Sequence, residues 1–245
     1  MKVFSYDEQL IAEGATPYFL TNGEHFYRRT GPNTFDTSAV DLSIVAEAAK
    51  QSPQGQHVLI DIEEFDLKAD PERAERNIAS ALWTWRHVSP SSVIGIYRTV
   101  PDLMYGATVH TVRQLLDRNT DASKLGRFAE SITEWQQQND DYAKAFLPAL
   151  DFLCPRLYAS NDWPNWKAYA HYQLAESRRI AGSRPVYPIM WPAYDNKTPI
   201  PLEQWRQMLA WVSTHYCVDG VLLYTPPKYP GAEGWRDVVQ EFMQA

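Results

Sequence analysis

The sequence is poor in the features that mark several common protein classes. It has two cysteines, Cys154 and Cys217, too few for a disulfide framework or a cysteine-rich zinc site. Both lie beside apolar, strand-like segments, where buried free thiols are expected. The six histidines are scattered, and none forms a His-x-x-x-His or His-x-His pair, so no metal site is expected. No Gly-rich loop follows a strand, as dinucleotide binding requires, and no Gly-x-Ser-x-Gly elbow marks a serine hydrolase. No cofactor is expected. No apolar run approaches the roughly 18–20 residues that span a bilayer. A basic surface is missing too: the net charge is −7 with both signs interspersed, which disfavours nucleic acid and anionic membranes. The first residues, Met1 to Asp7, lack the apolar core of a signal peptide. No low-complexity linker or fixed-period repeat interrupts the chain, and residues 1–245 are expected to form one domain.

What is present is an alternation of apolar strands and amphipathic helices. His57 to Glu63, Val93 to Tyr97, Phe152 to Tyr158, Val186 to Trp191 and Gly220 to Tyr224 are short apolar runs. Continuous apolar strands imply burial on both faces, as in a parallel sheet covered by helices. Asp70 can cap a helix with Pro71 at its first position, running to about His87 with Ile78, Leu82 and Trp85 on one face. Another starts near Pro201 with Leu202, Trp205, Leu209 and Val212 inward; a third covers roughly 166–181 and ends at Gly182. Helices near 38–51 and 123–146 complete the set. Within the first 30 residues, Val3–Tyr6, Tyr18–Thr21 and His25–Arg28 offer one or two strands, with a hairpin around Asn22-Gly23. The sum predicts an α/β fold: a single (β/α) TIM-type barrel of seven or eight mostly parallel strands.

The chemistry concentrates in Ile60-Asp61-Ile62-Glu63-Glu64-Phe65. The two-residue strand period puts Asp61 and Glu63 on one face and Glu64 on the other. Two close carboxyls resist ionising together, so one can keep a proton near neutral pH and serve as a general acid. Adjacent acids on one strand do not match the usual pair flanking a glycosidic bond from opposite sides. They fit substrate assistance, in which a 2-acetamido oxygen attacks its own anomeric carbon. Glu63 would then be acid and base, and Asp61 would orient the acetamido group. Tyr and Trp residues recurring at strand ends suit the C–H faces of sugars.

The segment Ile60 to Phe65 resembles the Asp-aromatic-Glu-Glu-aromatic stretch of hyaluronidases, and more loosely the Asp-x-Glu of chitinases. Pro155-Arg156-Leu157-Tyr158 is similar to their Pro-Ser-Ile-Tyr strand. Arg184-Pro185-Val186-Tyr187 and Trp191-Pro192-Ala193-Tyr194 fall where that family has a strand with Tyr. Asp219 to Tyr224 resembles the final Gly-Val-Val-Leu-Trp strand, with Tyr224 in place of Trp. The order agrees over roughly residues 57–226, and the family's disulfides have no counterparts. The resemblance implies catalytic Glu63 and Asp61, with Tyr158 holding the acetamido group, Tyr194 or Tyr187 lining the reacting subsite and Tyr224 as its floor. Trp191 and Asp195 would flank the same strand end, as stacking face and hydroxyl acceptor. Tyr97 and Arg98 should also face the mouth, Arg98 binding a uronic acid or pairing with Asp61 or Glu63.

The expected partner is therefore a polysaccharide or oligosaccharide containing an N-acetylhexosamine, with an extracellular or periplasmic location following from that substrate. Two other readings stand beside it. One is a glycosidase pairing Glu63 with a carboxylate from another strand, such as Asp151 or Asp195; the other is a silent barrel that binds carbohydrate or protein. Nothing in the sequence sets an oligomeric state.

Overall fold

The computed structural model describes residues 1–32, 34–103, 122–159, 163–226 and 231–244. Its strands are β1 (Val3–Ser5), β2 (Thr16–Leu20), β3 (Arg28–Gly31), β4 (Thr34–Asp36), β5 (His57–Ile60), β6 (Val93–Ile96), β7 (Ile189–Met190) and β8 (Val221–Leu223). Six of them form one sheet in the order β6-β5-β2-β1-β8-β7. Every pairing in it is parallel. The two edges meet a common neighbour, the extended segment 152–159. Tyr97, just past β6, bridges to Cys154, while Leu153 bridges to Val186 and Arg156 to Ile189. The six strands plus this segment close a ring of seven staves, within the seven or eight expected.

The segment 152–159 cannot form a regular ladder, because Pro155 has no N–H to donate. Pro185 and Pro188 restrict the facing chain in the same way, and β7 shrinks to two residues. Among the described residues, seven helices surround the ring: α1 (Glu8–Ala12), α2 (Leu42–Gln51), α3 (Pro71–Val88), α4 (Ala122–Phe146), α5 (Trp163–Ala181), α6 (Leu202–Ser213) and α7 (Trp235–Gln244). The Asp70 side chain caps α3 by accepting from the Arg73 N–H at 3.2 Å. Gly182, at φ +60°, follows α5 in the left-handed conformation that favours glycine after a helix.

The strand period sorts side chains into two apolar layers. Val58, Ile60, Ile94, Ile96, Val221 and Leu223 point outward, onto Ile78, Leu82 and Trp85 of α3 and Trp205 and Leu209 of α6. Phe4, Leu59, Phe152, Cys154 and Leu222 fill the interior. Each such buried side chain is worth about 1.5–3 kcal/mol of transfer free energy, so strand register is strongly specified. Cys154 and Cys217 are both buried free thiols, as expected.

The N-terminal hairpin differs from expectation. Asn22-Gly23 does not turn a hairpin; the Asn22 side chain caps a 3₁₀ turn at Gly23–His25, accepting from the Glu24 N–H at 3.2 Å. The antiparallel pair is β3 with β4 instead. An Asn side chain bonding to its own downstream backbone competes with the two-residue turn that the dipeptide otherwise favours.

Gly95 of β6 lies against the barrel interior, and a Cβ built there would come 2.2 Å from Cε2 of Phe152. That ring carries the inner core and cannot yield without moving Tyr187, 5.3 Å away between centroids. Gly95→Ala should therefore cost about 2 kcal/mol by overpacking. The check is thermal unfolding, with an expected drop in Tm of about 4–8 °C for a chain of this size.

Candidate active site

The C-terminal ends of the strands gather a polar and aromatic cluster, and β5 supplies its centre. His57 and Leu59 point into the ring, so the same period carries Asp61 and Glu63 toward the mouth. The backbone at Asp61 is fixed by Thr21, just past β2. Its hydroxyl donates to the Leu59 carbonyl at 3.1 Å and accepts from the Asp61 N–H at 2.9 Å. Glu64 turns to the other side, where its carboxylate accepts from the Tyr27 hydroxyl at 3.0 Å.

Asp61 is the unusual group. Its Oδ1 is buried and has no hydrogen-bond partner among the described residues. Burial pushes the carboxyl up to about 7, with the charges of Glu63 and Glu64 adding to the effect and Arg98 opposing it. Its protonated form is therefore favoured far above the ordinary carboxylate range. Glu63 is more open, its side chain 46% exposed, and its Oε1 forms an ion pair with Arg98 Nη1 at 2.7 Å. Arg98 follows β6 and holds φ +48°, the left-handed region that non-glycine residues enter uncommonly.

Aromatic rings surround the pair. Tyr158 and Tyr224 stack with centroids 5.8 Å apart and planes 20° from parallel. Trp191 meets both edge-on, at 5.6 Å from Tyr158 and 5.7 Å from Tyr224. Tyr97 lies 6.2 Å from Tyr158, and Tyr6 lies 6.3 Å from Tyr224. Beneath them the Tyr18 hydroxyl donates to the Leu223 carbonyl at 3.0 Å. Burial raises the Tyr18, Tyr97 and Tyr158 phenols well above their ordinary value, so they stay neutral hydrogen-bond donors. The Arg156 guanidinium lies 4.7 Å above the Tyr158 ring and pairs with Asp195.

Most of the expected residues thus converge: Asp61, Glu63, Tyr97, Arg98, Tyr158, Trp191 and Tyr224 share one end of the barrel, with Asp195 held at its rim by Arg156. Two do not join them. Tyr187 sits at the opposite, N-terminal end of the barrel. Its ring lies 4.6 Å from Phe4 and 6.0 Å from His57, with Lys2 Nζ 5.9 Å from its centroid. The two-residue period explains the error, since Tyr187 starts its stave and only Trp191, four residues on, reaches the mouth. Tyr194 points into the outer layer, where its hydroxyl donates to Gln204 Oε1 at 2.8 Å. The alternative carboxylate Asp151 is likewise at the wrong end, bound by Arg86 at 2.5 Å and by the Ile94 N–H at 2.7 Å.

Residues that sequence reasoning missed are Tyr6, Tyr18, Thr21 and Arg156. The first three lie on or just beyond the strands counted at the N-terminus. The rule applied downstream, an aromatic at a strand end, would have found Tyr6.

Neither a protein-family profile nor a curated protein matches the sequence. Among solved structures, the monoclinic crystal structure of bee venom hyaluronidase aligns over 100% of this chain and 97% of its own, with TM-score 0.64 and 11% identity. The barrel has the hyaluronidase fold. The same enzyme in complex with a hyaluronic acid tetramer aligns over 100% of this chain and 95% of its own, with TM-score 0.61 and 12% identity. A GH18 chitinase from Pseudoalteromonas aurantia aligns over 100% and 99%, with TM-score 0.48 and 10% identity. At such identities the likeness is one of fold, and the hyaluronidase-like barrel takes its chemistry from its own residues.

Proposed function

We propose that this chain is a retaining glycoside hydrolase that cleaves an N-acetylhexosamine-containing polysaccharide by substrate assistance. The observation that carries the reading is the buried, unpartnered Oδ1 of Asp61 next to the accessible Glu63, inside a wall of tyrosines. A carboxyl that is desolvated and lacks a partner is costly to keep, and an incoming amide N–H would satisfy it.

The reaction follows from these positions. The acetamido oxygen of the bound sugar attacks the anomeric carbon as the glycosidic C–O bond breaks. Glu63 gives its proton to the departing oxygen, and the Asp61 carboxylate accepts the acetamido N–H and offsets the positive charge of the oxazolinium. Water then attacks the anomeric carbon, giving its proton to Glu63, and the starting configuration returns. Tyr158 would donate to the acetamido oxygen, Tyr224 would floor the subsite and Trp191 would supply a stacking face. Of the other carboxylates weighed, Asp151 is at the far end of the barrel and Asp195 is tied to Arg156, which leaves the same-strand pair as the better acid set. That a structure with this fold was solved with a hyaluronic acid tetramer supports a polysaccharide substrate.

Hyaluronan and chitin oligosaccharides are the substrates to test, with the anomeric configuration of nascent product followed by proton NMR. Retention is expected, together with inertness toward polymers that lack 2-acetamido groups. Inverted product, or equal hydrolysis of an acetamido-free polymer, would rule out substrate assistance.

A further inference from the structure

The ion pair between Arg98 and Glu63 is at odds with the chemistry just proposed. A general acid must hold a proton, yet a guanidinium 2.7 Å from Glu63 Oε1 favours the carboxylate. Resting on the glycosidase reading, we propose that Arg98 is a latch: it keeps the shared proton off Glu63 in the free protein and releases Glu63 when it swings aside.

Three features of the structure support the latch. Arg98 sits at φ +48°, and non-glycine residues in that region cluster at switches and active sites. The guanidinium has somewhere to go. Glu63 and Arg98 both line a cavity of about 280 Å³ whose lining also includes Asp66 and Asp102. Asp102 is taken by Lys68 at 2.9 Å, which leaves Asp66 as the second anchor. The Asp66 carboxylate is pre-set, accepting from the Lys68 N–H at 2.8 Å and the Ala69 N–H at 3.1 Å, and it already feels the Arg98 charge. Finally, burial beside Glu63 and Glu64 favours the protonated form of Asp61, which makes it the proton source.

The step balances without any other reagent. As Arg98 leaves, the O–H bond of Asp61 breaks and an O–H bond forms on Glu63. The pair keeps one proton, now on the acid, and Asp61 becomes the carboxylate that the oxazolinium needs. The titratable and charged groups that act on the pair are Tyr18 from β2, Tyr97 and Arg98 from the end of β6, Cys154 and Tyr224, with Glu64 and its partner Tyr27 acting from the other side of the strand. Arg98 is the cation among the groups acting on Asp61. The Glu63 charge acts on Asp61, so removing the cation is expected to move proton uptake by the pair upward.

The test compares wild type, Arg98→Gln and Arg98→Lys. Carbon-13 NMR follows proton uptake by the two carboxyls, and kcat/KM on hyaluronan and chitin oligosaccharides is measured against pH. In Arg98→Gln both the uptake midpoints and the pH–rate bell should move up by about one pH unit. On the alkaline arm its kcat/KM relative to wild type should then rise about tenfold over the ratio at the optimum. Arg98→Lys, which keeps the charge, should hold both near wild type. Unmoved carboxyl midpoints in Arg98→Gln, with wild type active, would overturn the latch and leave the glycosidase reading intact. A wild type inactive on every 2-acetamido polymer would overturn that reading, and the latch with it.

Discussion

Glu63→Gln should lower kcat on a 2-acetamido polysaccharide by about 10³-fold while KM changes little, since general acid catalysis contributes about 10²–10⁴-fold. The amide matches the carboxyl in shape, so the aromatic wall and the sugar subsite remain. It cannot give a proton to the leaving oxygen. A nitrophenyl glycoside of N-acetylglucosamine sharpens the test, because its leaving group needs little protonation. The substitution should slow that substrate far less than the polymer. If Glu63→Gln cleaves the polymer at the wild-type rate, Glu63 is not the acid. A uniform loss on both substrates, with a raised KM, would point to a damaged subsite instead.

The fold was legible because its signals were local and repeated. Apolar runs such as Val58 to Ile60 and Ile94 to Ile96 are buried on both faces, and between them the capped pattern from Asp70 to Val88 could only be a helix. The site was legible where one strand carried it. The period of two places Asp61 and Glu63 together and sends Glu64 to Tyr27, with no tertiary information required. It failed where position along a stave decides the matter. Tyr187 and Trp191 belong to one apolar run and both point inward, but about 13 Å of chain separates them at roughly 3.3 Å per residue. Only Trp191 can touch a ligand at the mouth. Tyr194 failed for a different reason, since a loop residue has no strand period to orient it. Arg98 could be placed at a strand end from sequence, but its choice of Glu63 over Asp61 depends on a backbone turn at φ +48° that no pattern announces.

Asp61→Asn should abolish most of the activity and yet make the protein more stable at pH 8. The unfolded carboxyl releases its proton near 3.8, while burial and the neighbouring carboxylates raise the folded group to about 7. Between those values the folded state binds more protons than the unfolded state, so stability falls as pH rises. The loss is absent below the unfolded value and complete once pH has passed the folded value. A separation of about three units corresponds to about 4 kcal/mol, at about 1.4 kcal/mol each. Asparagine has no such ionisation and escapes the loss. In thermal unfolding, Asp61→Asn should exceed wild type by about 8 °C at pH 8, using about 2 °C per kcal/mol for a chain of this length. The gain should shrink steadily as the pH is lowered and vanish near pH 4. A gain that does not depend on pH, or an Asp61→Asn variant less stable than wild type at pH 8, would sink the claim that Asp61 is an energetically strained carboxyl. By the mechanism proposed above, the same substitution would remove the negative charge facing the oxazolinium, at an expected cost of about 10²–10³ in kcat. Stability and turnover are then opposed at one side chain, which is the pattern expected where a fold retains a costly buried carboxyl for its chemistry.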